Sequence, residues 1–106
     1  MYIIVRSDLE KGAQMAQALH AALHFAGDNI DLVNNWMDKS DYICALGVAD
    51  ETQLHHLLKK AREKGIISAA FYEPDLNNSL TAICLEPGKR SKNLCKGLKL
   101  ALSENK

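Results

Sequence analysis

Asp8-Leu-Glu-Lys-Gly-Ala-Gln-Met-Ala-Gln-Ala-Leu-His-Ala-Ala22 decides how the chain is read. Ahead of it, Tyr2-Ile-Ile-Val5 is a short β-branched run suited to a strand. Within and behind it, Ala13, Ala16, Ala18, Ala21, Ala22 and Ala26 favour a helix, because alanine gives up no side-chain entropy on entering one. A strand that passes through a glycine-containing turn into a helix leaves backbone N–H groups unpaired at the C-terminal edge of the sheet. Anions are favoured there. Gln17, His20 and His24 recur at spacings of three and four and so share one helical stripe, with Gln14 beside Gln17. A single glutamine or histidine on such a stripe is explained by hydrogen bonds to neighbouring backbone. The whole set, behind this turn, marks a candidate site.

The 106 residues suffice for one hydrophobic core and hence one domain, 1–106. A hydrophobic fraction of 47% with 25% charged residues is ordinary for a globular protein. Zero formal net charge speaks against indiscriminate nucleic-acid binding and leaves local patches open. No apolar run approaches the roughly 18 residues that span a bilayer, and Met1–Val5 is too short for a signal-peptide core, with Arg6 on the wrong side of it. Cys44, Cys84 and Cys95 are odd in number and widely spaced, which suits buried thiols in a reducing compartment. A cytoplasmic protein that makes no membrane contact is expected.

Along the chain, Gly27-Asp-Asn29 interrupts the first helix, and Ile30, Val33, Trp36 and Met37 recur at helical spacing through about Asp38. Tyr42–Val48 reads as a strand apolar enough to be covered on both faces. Asp50 can cap a third helix whose buried stripe is Leu54, Leu57, Leu58 and Ala61, with Gly65 as its stop. Ile66–Tyr72 and Leu80–Leu85 read as strands flanking a loop, Glu73-Pro-Asp-Leu-Asn-Asn78. Pro87-Gly88 leads into a last helix with Leu94, Cys95, Leu98 and Leu102 inward. The order β-α-α-β-α-β-β-α predicts an α/β fold, a three-layer α/β/α sandwich around a four-stranded mixed β-sheet.

Arg6-Ser-Asp-Leu9, Lys11-Gly12, Ala16-Gln17 and His20-Ala21 together resemble the signature of the type II peptidyl-tRNA hydrolase family, an R-x-D-L turn followed by K-G-K-x-x-A-Q-x-x-H-A. Trp36 before the second strand, the acidic helix start Ala49–Thr52 and a late strand running from Thr81 to Pro87 follow in the family's order. Two departures stand out. Ala13 occupies the position of the second lysine of K-G-K, thought to be catalytic in the hydrolases, and Glu73–Asn78 replaces the segment D-A-G-R-T. The closer likeness is to a divergent branch of hydrolase-domain proteins that keep an E-P-D-L-x-N loop.

The resemblance implies hydrolysis of the ester joining a peptide or aminoacyl group to tRNA, at a low rate. Ester hydrolysis needs a placed water, an acceptor for its proton and donors aimed at the oxyanion. Glu73 or Asp75 would activate water, Thr81 would donate a hydrogen bond to the substrate, Asp8 and Gln17 would hold the turn and orient the water, and His20 would belong to the same catalytic set. Arg6, Lys11 and Asn78 would bind substrate, Lys11 adding positive potential. The alternative is a non-catalytic module of the same fold that recognises a protein, a nucleotide or an RNA end. His20-Ala-Ala-Leu-His24 lacks the glutamate and third ligand of a zinc hydrolase, so no metal and no cofactor are expected. Lys89, Arg90 and Lys92, followed by Lys96 and Lys99, form either a solvated helix face or a rim for tRNA phosphates if Pro87-Gly88 borders the cleft. A homodimer is implied by the family; the sequence by itself singles out no exposed apolar stripe.

Overall fold

The computed structural model describes residues 1–103. Strand β1, Tyr2–Arg6, is buried along almost its whole length and lies at the centre of the sheet. It is followed by α1 (Lys11–Asp28) and, after the single residue Asn29, by α2 (Ile30–Lys39). Then come β2 (Cys44–Val48), α3 (Glu51–Glu63), β3 (Ser68–Glu73), a 3-10 turn at Pro74–Leu76, β4 (Ser79–Leu85), α4 (Lys89–Leu94) and β5 (Lys99–Leu100). The strand order is β3-β4-β1-β2-β5, with β1 parallel to β2 and the other three pairings antiparallel.

Alternation along β1 builds two cores. Tyr2 and Ile4 point to one face, where Leu54, Leu57, Leu58 and Ala61 of α3 meet Leu80, Ile83 and Cys95. Ile3 and Val5 point to the other, where Ala21 and Phe25 of α1 and Val33 of α2 pack on Ala82 and Cys84. The caps read from sequence form: the Asp50 side chain accepts from Gln53 N, and Gly65 takes the left-handed φ of +71° that ends α3. Burial pushes the Cys84 and Cys95 thiols up to about 12 and about 11, so both stay protonated at neutral pH.

Three expectations are corrected. The sheet has five strands, not four. The last helix ends at Leu94, because the bonds beyond it tighten to three-residue turns, Lys96 N–H to Asn93 O and Leu98 N–H to Cys95 O, and Gly97 turns the chain at φ +88°. The returning segment pairs with β2 as β5, so Leu98 reaches the core from a turn and Leu102 lies exposed. Third, β2 is well covered only on the α3 face, where Leu46 and Val48 are buried; Ala45, on the other face, is exposed. Above that open half of the sheet, Met15, Leu19 and Leu23 form an exposed stripe on α1, a feature the sequence had not set apart.

Phe25 is fully buried, so Phe25→Ala should cost about 3–5 kcal/mol through lost transfer energy and a residual cavity. Leu23, two residues from it and on the opposite side of the same helix, is 70% exposed, and Leu23→Ala should change stability by no more than about 0.5 kcal/mol. Urea unfolding of the two variants checks both values.

Candidate active site

The site begins with a fault in the ladder. Phe71 pairs with Ala82 but the next residue, Tyr72, pairs with Leu80, so Thr81 is an extra residue in β4. The resulting bulge turns the Thr81 side chain toward α1, where it is fully buried. Its hydroxyl donates to Gln17 Oε1 at 2.7 Å and lies 3.3 Å from the Phe71 carbonyl oxygen. Gln17, itself buried, uses its amide nitrogen to donate to Glu73 Oε1 at 2.8 Å. One chain of hydrogen bonds thus runs from the bulge through α1 to the last residue of β3. The second carboxylate oxygen, Glu73 Oε2, accepts from Asp75 N at 3.3 Å.

These bonds favour the charged carboxylate. The Gln17 amide, the Asp75 N–H and the positive charge that His20 carries when protonated hold Glu73 below the ordinary glutamate range. His20 stacks on the Phe71 ring, with centroids 4.3 Å apart and planes 8° from parallel, and His24 leans on the same ring at 5.6 Å. Both histidines therefore have an aromatic neighbour. Among the described residues no group of three or more His, Cys, Asp or Glu side chains is placed to hold a metal ion.

A second network lies on the α3 side of β1. Arg6 grips Asp8 with two bonds of 2.9 Å, approaches Ser79 Oγ at 3.3 Å and Leu80 O at 3.4 Å, and has Glu51 at 4.0 Å. Glu51 Oε2 accepts from Leu80 N at 2.9 Å. The pair holds Asp8 below its ordinary range, chiefly through the Arg6 hydrogen bond, and raises Arg6 for the same reason. Gln14 fastens the turn between β1 and α1 by donating to Ser7 O and Leu9 O. Glu10 makes no side-chain cap at the helix start, which lies about 9 Å along the axis from Gln17.

Of the residues singled out in the sequence, Gln17, Glu73 and Thr81 meet directly and His20 joins them through Phe71. The Asp75 backbone contributes, while Asn77 and Asn78, at φ +55° and +57°, turn the chain from the 3-10 segment into β4. Arg6 and Asp8 are absorbed by each other and by the edge of the bulge. Lys11 lines a groove of about 180 Å³ with Ser7, Gly47 and Lys99, over β2 and β5. Glu73 is on β3, three strand spacings or about 14 Å from β2. Lys89, Arg90 and Lys92 follow the far end of β4, so Pro87-Gly88 does not border this site. Glu51 and Phe71 were not anticipated, and Gln14, noted beside Gln17, serves the turn and not Glu73. The parts of Glu51 and Phe71 depend on contacts 29 and 51 residues away in sequence, and only Glu51 carried a signal, as the acidic start of α3.

No curated protein matches the chain. The peptidyl-tRNA hydrolase PTH2 profile matches residues 1–101, which takes in every strand and the whole hydrogen-bonded chain from Thr81 to Glu73. With that extent of match, this chain belongs to the peptidyl-tRNA hydrolase PTH2 family.

Proposed function

We propose that the protein slowly hydrolyses the ester between a peptide or aminoacyl group and tRNA, with Glu73 as the reacting carboxylate. The observation that carries the reading is the Thr81–Gln17–Glu73 chain, which fixes one partly exposed carboxylate against α1. Water held by Glu73 attacks the ester carbonyl carbon and yields its proton to the carboxylate. Collapse of the tetrahedral intermediate breaks the bond to the ribose oxygen, which takes up a proton, leaving a peptide carboxylate and free tRNA. Asp75 stays an alternative acceptor, since its backbone N–H is bonded to the same carboxylate. Thr81 is enclosed and its proton is committed to Gln17, so in this reading it positions Gln17 and does not touch substrate.

Two features support a low rate. A carboxylate held below its ordinary range is a weak Brønsted base. Ala13 brings no cation to the oxyanion, and the loss of one such donor typically costs about 3–4 kcal/mol. The same features motivate the second reading, a binding module that kept the fold. Turnover of peptidyl-tRNA by purified protein separates the two.

We also propose a homodimer through the open half of the α1 face. Met15, Leu19 and Leu23 recur every four residues, and beside them a wholly apolar depression of about 150 Å³ is lined by residues including Val5, Ala18, Ala45 and Ala101. A second copy of this chain would cover the stripe with its own.

Glu73→Gln should lower kcat on peptidyl-tRNA by at least about 100-fold while the thermal midpoint stays close to that of the parent, and Ala13→Lys should raise kcat by about 100-fold. Equal turnover in the parent and Glu73→Gln removes Glu73 as the reacting carboxylate and leaves Asp75; no turnover by the parent removes the hydrolase reading.

Because Glu73 is depressed, it is fully ionised above the ordinary glutamate value of about 4.3. A rate profile in kcat/KM should therefore be flat across neutral pH and fall only below that value. The stability Glu73 contributes has the same sign: present above its unfolded value and lost as pH falls through the folded one.

Light scattering at micromolar concentration should give twice the chain mass for the parent and the single-chain mass for Leu19→Glu with Leu23→Glu.

A further inference from the structure

The basic residues remote from Glu73 are not scattered. Residues 59–64 and 86–96 hold eight of the chain's 13 lysines and arginines and two of its 13 acidic residues. That region is net +6 and the rest of the chain net −6, so the zero total conceals two poles. The two segments meet where α3 ends and α4 begins, around a groove of about 750 Å³ lined by Lys60, Lys64, Arg90, Asn93 and Leu94. Arg90 is committed to structure: it donates to Lys64 O at 2.7 Å and Gly65 O at 3.3 Å and pairs with Glu86 at 3.2 Å. It fastens α4 to the end of α3. Lys60, Lys64, Lys89 and Lys92 form no ion pair among the described residues.

Helix stability accounts for only part of this charge. Lys60 and Arg62 sit in the last turn of α3, where the macrodipole favours cations. Lys89 and Arg90 open α4, where it disfavours them, and Glu86, just before the helix, pairs with Arg90. Like charges gathered on one surface also repel one another. The end that carries Glu73 has the opposite character, with Asp8, Glu10, Asp50, Glu51 and Asp75 close to the same strand ends. Beta strand β4, seven residues long, separates the two ends by about 20 Å. A small anion does not bridge that distance. A nucleic-acid strand with one phosphate about every 3.4 Å does so in about six nucleotides. The groove has one apolar lining residue and no aromatic, unlike the apolar centre of a protein–protein interface.

We propose that the groove between α3 and α4 is a second RNA-docking surface, in which Lys60, Lys64, Lys89 and Lys92 hold phosphates of the tRNA body while its ester-bearing end lies at Glu73 across the sheet. The choice of tRNA rests on the hydrolase reading, but the surface is tested without turnover. Binding of deacylated tRNA is measured against salt for the parent and for the fourfold variant Lys60→Ala, Lys64→Ala, Lys89→Ala, Lys92→Ala. The slope of log affinity against log salt should flatten by about 3 units in the variant, with a thermal midpoint unchanged or raised because repulsion is relieved. An unchanged slope overturns the proposal. Polyglutamate of matched charge serves as the competing probe: binding as tight as that of tRNA and equally lost in the variant overturns the RNA assignment in favour of an acidic protein. Absence of ester hydrolysis in the parent would overturn the hydrolase reading and leave this slope to be read by itself.

Discussion

One extra residue in β4 sets the terms for most of the site. A bulge removes backbone groups from the ladder, and groups buried at that point need other partners, since an unpaired one costs free energy comparable to a lost hydrogen bond. Here the partners come from three elements. Glu51 of α3 takes the Leu80 N–H, Arg6 of β1 approaches the Leu80 carbonyl, and Thr81 itself lies beside the Phe71 carbonyl. The Thr81 hydroxyl then requires an acceptor in a fully enclosed place, and Gln17 of α1 supplies it. Glutamine has a donor left over, and Glu73 receives it. The orientation of the exposed carboxylate is therefore the outward end of a satisfaction problem that starts inside the sheet.

That origin limits the chemistry. The bonds that hold Glu73 in place also stabilise its charge, and a carboxylate stabilised in this way accepts a proton less readily. Orientation is obtained at the expense of basicity. Compensation would have to come from positive charge near the developing oxyanion, and the side chain in the second-lysine position is Ala13. Lys11 and Lys99 stand together over β2 and β5, away from β3. The fold is that of the peptidyl-tRNA hydrolase PTH2 family, while the position of the second lysine in that family's K-G-K signature holds Ala13.

The charge distribution follows the same division. Parallel pairing of β1 with β2 puts the start of α1, the cap of α3 and the end of β3 at one end of the sheet, and their turn and cap chemistry is acidic. The C-terminal end of α3 and the start of α4 lie at the other, where lysines accumulate. A polyanion that reaches both would be oriented by this field before contact.

Local chemistry was legible without the structure. The alanine-rich run behind a β-branched strand, the Asp50 cap, the Gly65 stop and the Leu54–Leu57–Leu58–Ala61 stripe are set by short-range propensity and periodicity, and each element formed where these placed it. Gln17 was visible because a buried-stripe position held a polar residue. The final segment shows the limit: Leu94, Cys95 and Leu98 have helical spacing, yet a glycine at positive φ and an open edge on β2 turned the chain into a strand. No periodicity reports whether a neighbouring edge is free. Likewise, whether Arg6 meets substrate or Asp8 and the bulge, and whether lysines 89 and 92 flank Glu73 or lie about 20 Å away, depends on which strand ends the topology brings together. The sequence by itself determined the elements, their caps and the family signature, because those are written within about one helical turn or one strand. Only the tertiary structure decided the bulge, the partners of each buried polar group and the two charge poles, because these arise from contacts between residues tens of positions apart.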